Sequence, residues 1–133
     1  MVLVDANVLL DLVTAPNAWS DWSARELRRA AAAGPLLAND VVFAEVSIGF
    51  LRMEEAEEVF TKAEVALAPM PRRALFRAGK AFGEYRRRGG TRTGVLPDFF
   101  IGAHAEAAGL RLLTRDGSRY RSYFPEVALI APS

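Results

Sequence analysis

The sequence predicts an α/β fold, a three-layer α/β/α sandwich around a central, mostly parallel sheet. Three observations carry this reading. Short apolar runs alternate with helical segments, most of ten or more residues, the pattern of strands buried on both faces by crossover helices. The 133 residues, 51% hydrophobic and 25% charged, suit one soluble globular domain whose core can close without staples. There is no cysteine, which excludes a disulfide scaffold, a thiolate metal site and a cysteine nucleophile.

Val2 to Val4 reads as a buried strand because β-branched residues dominate and the polar Asp5 follows. Asn7 to Val13 has helical spacing, with Val8, Leu9 and Leu12 on one side. Asn17 or Ser20 caps the next helix, which runs through Trp19, Trp22 and Leu27 to about Ala33, where Gly34-Pro35 stops it. Leu36 to Ala38 is a second strand, and Asn39 or Asp40 caps a third helix through Val42, Val46 and Phe50. A fourth helix spans roughly 54 to 64, and Val65 to Ala68 reads as a third strand. A fifth helix covers roughly 72 to 88, with Leu75, Phe82 and Tyr85 as its apolar members, and a glycine-rich loop follows over 89 to 94. Pro97 suits the first turn of the next helix, which Gly109 ends. Arg111 to Thr114 is a strand, Asp116-Gly117 a turn, and Val127 to Ile130 a last short strand.

No apolar run approaches the roughly 18 residues of a membrane span. The first residues lack a basic region and meet Asp5 at once, unlike a signal peptide. The expected location is the cytoplasm. The net charge of +1 hides an asymmetry. Glu54, Glu55, Glu57, Glu58 and Glu64 face Lys62 alone, whereas Arg72, Arg73, Arg77, Lys80, Arg86, Arg87, Arg88 and Arg92 face Glu84 alone. The basic stretch is either a phosphate-binding face or a solvated helix surface.

Ligand sites of open parallel sheets lie beyond the carboxyl ends of the strands. Two strands end there in acids: Val4 leads into Asp5 with Asn7 two residues on, and Leu113-Thr114 leads to Asp116. Singly, Asp5 could be a helix cap and Asp116 the first residue of an Asp-Gly turn. Glu45 sits among Val41, Val42, Ile48 and Gly49 at helical spacing. On such a face a carboxylate needs a cation, a proton or the rim of a cleft, unless it reaches past its neighbours to water. Asp98 follows Pro97 and shares its face with Ile101, Gly102 and Ala105. It is either a first-turn acid favoured by the helix dipole or part of the same site. Acids that converge raise one another's pKa values, and a divalent cation relieves them. Oxygen donors suit Mg²⁺ or Mn²⁺, and a single histidine, His104, argues against a multi-histidine zinc site. Such a centre suits phosphoryl or phosphodiester chemistry, with the basic stretch as the phosphate-binding face.

Four segments resemble the PIN-domain family, and within it the VapC-like toxins of toxin–antitoxin pairs. They are Val4-Asp5-Ala6-Asn7-Val8-Leu9-Leu10, Glu45 in Val42-Phe43-Ala44-Glu45-Val46, Leu96-Pro97-Asp98-Phe99-Phe100-Ile101-Gly102-Ala103-His104-Ala105, and Leu112-Leu113-Thr114-Arg115-Asp116 with Tyr120 and Phe124-Pro125 beyond. They occur in the family's order and span nearly the whole chain, while 52 to 90 matches only as generic helix. The resemblance implies a single PIN-like domain over 1–133 and an endoribonuclease using Mg²⁺ or Mn²⁺ to activate water against cellular RNA of the tRNA or rRNA class. It implies that Asp5, Asp98 and Asp116 hold the metal, that Glu45 holds it or orients the water, and that Asn7 and Thr114 position the acids. It also implies a homodimer and a VapB-like antitoxin partner. His104 is expected to pack a helix. Arg86, Arg87, Arg88, Arg92 and Arg115 are assigned to RNA on charge alone.

Two other classes compete. A PIN-like module could bind RNA or protein without cutting, but such members usually lose an acid and none is missing here. A receiver-like signalling domain needs an adjacent acid pair after the first strand and a lysine after the last strands. Ala6 follows Asp5, and no lysine lies beyond Lys80. Phe50, Leu51 and Met53 are apolar positions that serve either a dimer interface or the core.

Overall fold

The computed structural model describes residues 1–92 and 94–132; Thr93, within the predicted glycine-rich loop, lies outside the described residues. Five strands form one sheet: β1 (Val2–Val4), β2 (Leu36–Ala38), β3 (Val65–Leu67), β4 (Arg111–Leu113) and β5 (Leu129–Ile130). All neighbours pair parallel, in the order β3-β2-β1-β4-β5. The helices are α1 (Ala6–Val13), α2 (Ser20–Ala33), α3 (Asp40–Ser47), α4 (Met53–Ala63), α5 (Arg72–Arg87), α6 (Leu96–Ala108) and α7 (Ser118–Tyr123).

The strand order follows from chain direction. From β1 the chain steps outward to β2 and β3, then returns across the sheet to β4 and β5. Right-handed crossovers therefore place α1 to α4 on one face and α5 to α7 on the other. The packing agrees: α1 meets α2, α3 and α4, whereas α5 meets α6 and α6 meets α7. Central β1 is covered on both sides, so Leu3 and Val4 are fully buried, as are Leu112 and Leu113 beside them. The reversal between β1 and β4 makes a switch point at the carboxyl edge of those two strands. A receiver-like domain would show the order 2-1-3-4-5 instead, which sets that alternative aside.

Several predicted boundaries move. Asn39, one of two residues expected to cap α3, does so, with its side-chain oxygen accepting from the Val42 amide at 2.9 Å. That helix ends at Ser47 and not at Phe50; the amides of Ile48, Gly49 and Phe50 each bond three residues back in a tighter turn. Gly49 and an 86% exposed Ile48 give a longer helix no apolar face to bury. Neither Asn17 nor Ser20 caps α2: Asn17 closes a local turn onto the Trp19 amide, and Ser20 is the first helical residue. The final strand is shorter than expected, and α7 follows the predicted Asp116-Gly117 turn where no element was expected. No helix among the described residues is long and apolar enough to cross a membrane.

Candidate active site at the carboxyl edge of β1 and β4

Asp5 leaves β1 at the N-cap position of α1, yet its carboxylate makes no capping bond. It turns instead toward β4 and α7. Thr114 Oγ1 lies 2.9 Å and Tyr120 Oη 2.8 Å from Asp5 Oδ2, and both hydroxyls donate to it. The Thr114 hydroxyl also accepts, from Asn7 Nδ2 at 3.2 Å and from the Asp116 amide at 3.2 Å. Asn7 Oδ1 in turn accepts from the Arg115 amide at 3.3 Å. Asn7 and Thr114 thus tie the start of α1 to the loop after β4 and fix the orientation of Asp5.

Asp98 enters in the first turn of α6, placed by Pro97 at the helix start. Its Oδ2 accepts from Arg119 Nη1 at 2.7 Å, and its Oδ1 is 3.5 Å from Tyr120 Oη. Tyr120 therefore stands between Asp5 and Asp98, and its single proton goes to the nearer oxygen, that of Asp5. Burial and the surrounding carboxylates push the phenol well above its usual range, so it stays protonated. Asp116 is exposed, and its Oδ1 accepts from the Ser118 amide at 3.3 Å and Oγ at 3.0 Å, starting α7.

Glu45 projects from α3 at the edge of an open recess it shares with Ile48, Leu96, Pro97 and Phe100. Its Oε1 is buried and has no hydrogen-bond partner. Burial, then Asp5 and Asp98, raise its pKa to about 7. Asp5 is raised to about 6, first by burial and also by Asp98, with its hydroxyl donors opposing. Asp98 is raised too: burial outweighs Arg119. Asp5, Glu45 and Asp98 feel one another's charge, and Asp116 is felt by Asp98.

The four predicted acids are therefore brought to one edge, but they are not drawn into a closed ligand set. Among the described residues, no three acids or imidazoles gather closely enough to hold an ion as they stand. Tyr120, Arg119 and Ser118 instead engage oxygens of Asp5, Asp98 and Asp116. The donor chemistry still fits a hard divalent cation. All the donors are carboxylate oxygens, and the orphaned Glu45 Oε1 lacks the partner such an ion would supply.

The predicted RNA-binding arginines are placed as follows. Arg86, Arg87, Arg88 and Arg92 are exposed around the C-terminus of α5. Arg86 lies over Phe82, and Arg88 lies over Tyr123 while pairing with Glu84 at 2.6 Å. The Arg92 amide donates to Tyr85 Oη at 3.1 Å. Arg115 Nε is 3.0 Å from Asp11 Oδ2, an ion pair whose N–H is not aimed at the oxygen. Earlier in the basic stretch, Arg77 binds Glu106 and the Tyr123 carbonyl, and Arg73 binds the Ala107 carbonyl, fastening α5 to α6 and α7. His104 is buried, with Nδ1 accepting from Asn39 Nδ2 at 3.0 Å, and burial lowers its pKa. That neutral, tethered ring joins α6 to the cap of α3.

Sequence reasoning assigned no role to Tyr120, Arg119 or Asp11. Asp11 is a buried acid on α1, held by Ser23 Oγ at 2.7 Å and by Arg115. Tyr120 carried a faint signal, since it stands with Phe124-Pro125 at the end of the fourth resembling segment; both Tyr120 and Phe124 are buried. Arg119 carried none.

An open parallel α/β sheet with paired and orphaned carboxylates at its switch point defines an acidic-site α/β domain. The chain belongs to the PIN domain family, whose model matches residues 2–124. Solved structures share the fold. Similar chains occur in VapBC2 from Rickettsia felis bound to a DNA fragment from their promoter (TM-score 0.75, 17% identity, all of both chains covered) and in VapBC-1 from nontypeable Haemophilus influenzae (TM-score 0.72, 13% identity, 98% of each chain). A toxin–antitoxin complex from Klebsiella pneumoniae contains another (TM-score 0.66, 21% identity, 100% of this chain and 98% of that one). At such identities the likeness is one of fold. No curated protein matches the chain.

Proposed function

We propose that this chain is a divalent-cation-dependent endoribonuclease and the toxin of a toxin–antitoxin pair. One observation carries the reading: a buried, unpartnered Glu45 oxygen in the field of Asp5 and Asp98, at the edge where a parallel sheet binds ligands. Carboxylates kept together with raised pKa values are a standing cost unless a cation relieves it. Membership of the PIN family and the fold likeness to chains of toxin–antitoxin complexes support the nuclease and the antitoxin partner. RNA as substrate, Mg²⁺ or Mn²⁺ as the ion, a homodimer and a single domain over 1–133 belong to the same proposal.

Asp5, Glu45, Asp98 and Asp116 would hold the ion. When bound, Mg²⁺ or Mn²⁺ supplies Lewis-acid chemistry that makes water a better nucleophile and steadies the leaving oxygen. Thr114 and Tyr120 fix the rotamer of Asp5 through their two donated bonds. Glu45, whose Oε1 has no other partner, would hold the ion or align the attacking water. The water gives up a proton to solvent as its oxygen bonds to phosphorus, the bond from phosphorus to the 3′ oxygen breaks, and that oxygen takes a proton from solvent, so the products carry a 5′-phosphate and a 3′-hydroxyl. Arg86, Arg87 and Arg92 offer exposed positive charge to the strand, whereas Arg115 is engaged with Asp11.

The test is 5′-end mapping of total cellular RNA with the purified protein, with and without Mn²⁺, beside Asp98→Asn. New 5′-phosphate ends that need both Mn²⁺ and Asp98 are expected. Metal-free cleavage, or full cleavage by Asp98→Asn, would refute the site. No cleavage from a folded sample free of antitoxin would favour the non-cleaving module.

A further inference from the structure

Arg119 is the one cation within 4.0 Å of any of the four acids among the described residues. Its Nη1 meets Asp98 Oδ2 at 2.7 Å, with the two side chains 22% and 30% exposed. The contact is short, charge-assisted and partly shielded, the kind that holds. The other oxygen of Asp98 faces the Tyr120 hydroxyl, which is committed to Asp5. A divalent ion seated on Asp98 would therefore share that carboxylate with a guanidinium, and two cations on one small group repel. Arg119 sits in the first turn of the six-residue α7, and its guanidinium also lies by the Tyr85 ring, with Cζ 6.0 Å from the centroid. Tyr85 leads outward, because its hydroxyl accepts from the Arg92 amide and its ring leaves no room for a Cβ at Gly90. A guanidinium leaving Asp98 thus has a path along the Tyr85 face toward the exposed arginines at the end of α5.

Resting on the proposed cation-dependent RNA cleavage, we propose that Arg119 exchanges partners. It holds Asp98 while no divalent ion is present, and it turns to a phosphate of the RNA strand once an ion takes Asp98. Arg119 then sets how much divalent cation the site needs and couples ion entry to RNA grip. A bidentate-capable arginine suits both partners, since carboxylate and phosphate offer it the same pair of oxygens.

The test uses Arg119→Gln and Arg119→Lys in the full chain, with Mn²⁺ affinity read by electron paramagnetic resonance. Binding of bulk transfer RNA is read in Ca²⁺, and melting in EDTA checks the fold. Arg119→Gln should bind Mn²⁺ about fivefold more tightly than the parent, the scale of a partly exposed ion pair, and should bind RNA less tightly. Arg119→Lys keeps the competing charge and should stay near the parent for Mn²⁺. Unchanged or weaker Mn²⁺ binding by Arg119→Gln overturns the exchange, as does tighter Mn²⁺ binding with RNA affinity intact. Parent and variants that all fail to bind Mn²⁺ would refute the cation-dependent reading itself and the exchange with it.

Discussion

A carboxylate oxygen shut away from water with no donor is costly for a fold to retain, and Glu45 retains one. Its pKa rises from 4.5 to about 7, first through burial and then through Asp5 and Asp98. The native state therefore holds this proton more tightly than the unfolded chain does. Native stability from Glu45 is full below the unfolded value and is lost as pH rises through 7. Glu45→Gln removes the charge and nearly keeps the shape. With EDTA present, the variant should be more stable than the parent at pH 8 by about 1–2 kcal/mol, a figure halved for the solvent that reaches one side of the group. The gain should shrink to a few tenths of a kcal/mol (about 0.4) at pH 5 and vanish below about pH 4, where native and unfolded states are both protonated, and urea melts across these pH values would show it. Equal stability at pH 8 would mean that Glu45 finds water or a donor after all. Glu45 was legible in the sequence because its helical neighbours are apolar. Asp5 was legible as a strand-end acid, and Thr114 as a residue that positions it, but not the bond from Tyr120: that residue stood in the fourth resembling segment without a role, and it reaches Asp5 across 115 positions of chain.

Among the elements, α6 and α7 decide whether Asp98, Arg119 and Tyr120 meet. Gly102 of α6 lies against Phe124, just past α7, and a Cβ there would stand 2.4 Å from the Phe124 ring. Phe124 is itself packed by Phe99 and covered by the Arg77 guanidinium, so the ring has little freedom to retreat. Gly102→Ala gains helix propensity worth up to about 1 kcal/mol but overpacks this contact by roughly 1–3 kcal/mol. A net loss of about 1–2 kcal/mol is expected in denaturant melts, and it should persist at every pH because no charge is involved. A melting temperature at or above the parent's would show that α6 and α7 can part without cost. The long helices were readable from apolar periodicity and from Gly-Pro and Pro97 punctuation. The six residues of α7 give fewer than two turns, too short for a period to emerge beside an Asp-Gly turn signal. The end of α3 was misjudged for a related reason: Phe50 fits the helical spacing, while the turn at Gly49 takes it out of register.

For the whole molecule, the order β3-β2-β1-β4-β5 sets the electrostatics, because it lays the ends of β1 and β4 side by side and brings α3 and α6 over the same edge. Strand number and the parallel sheet could be read from the sequence, but the order of strands could not, since each three-residue strand carries no mark of its neighbour. Once that order is fixed, Asp5 at about 6, Glu45 at about 7 and a raised Asp98 all act in one direction. Each binds its proton more tightly folded than unfolded, so the cation-free protein should lose stability as pH rises from about 5 to about 7.5. Each proton so held contributes a slope of about 1.4 kcal/mol per pH unit. His104 works in the opposite sense: burial lowers its pKa, so its contribution is lost as pH falls below the unfolded value of 6.5. Above 6.5 the unfolded imidazole is less than half protonated, so its opposing slope is the smaller one and the carboxylates set the sign there. Melts in EDTA between pH 6.5 and 7.5 should therefore show falling stability, which Asp5→Asn combined with Glu45→Gln should flatten. Mn²⁺ binds the ionised carboxylates, so it should raise the parent's melting temperature more at pH 7.5 than at pH 5.5. A stability that climbs with pH across this window in EDTA would mean that the acids are not sharing one field, and the sheet edge would lose its claim to be a cation site.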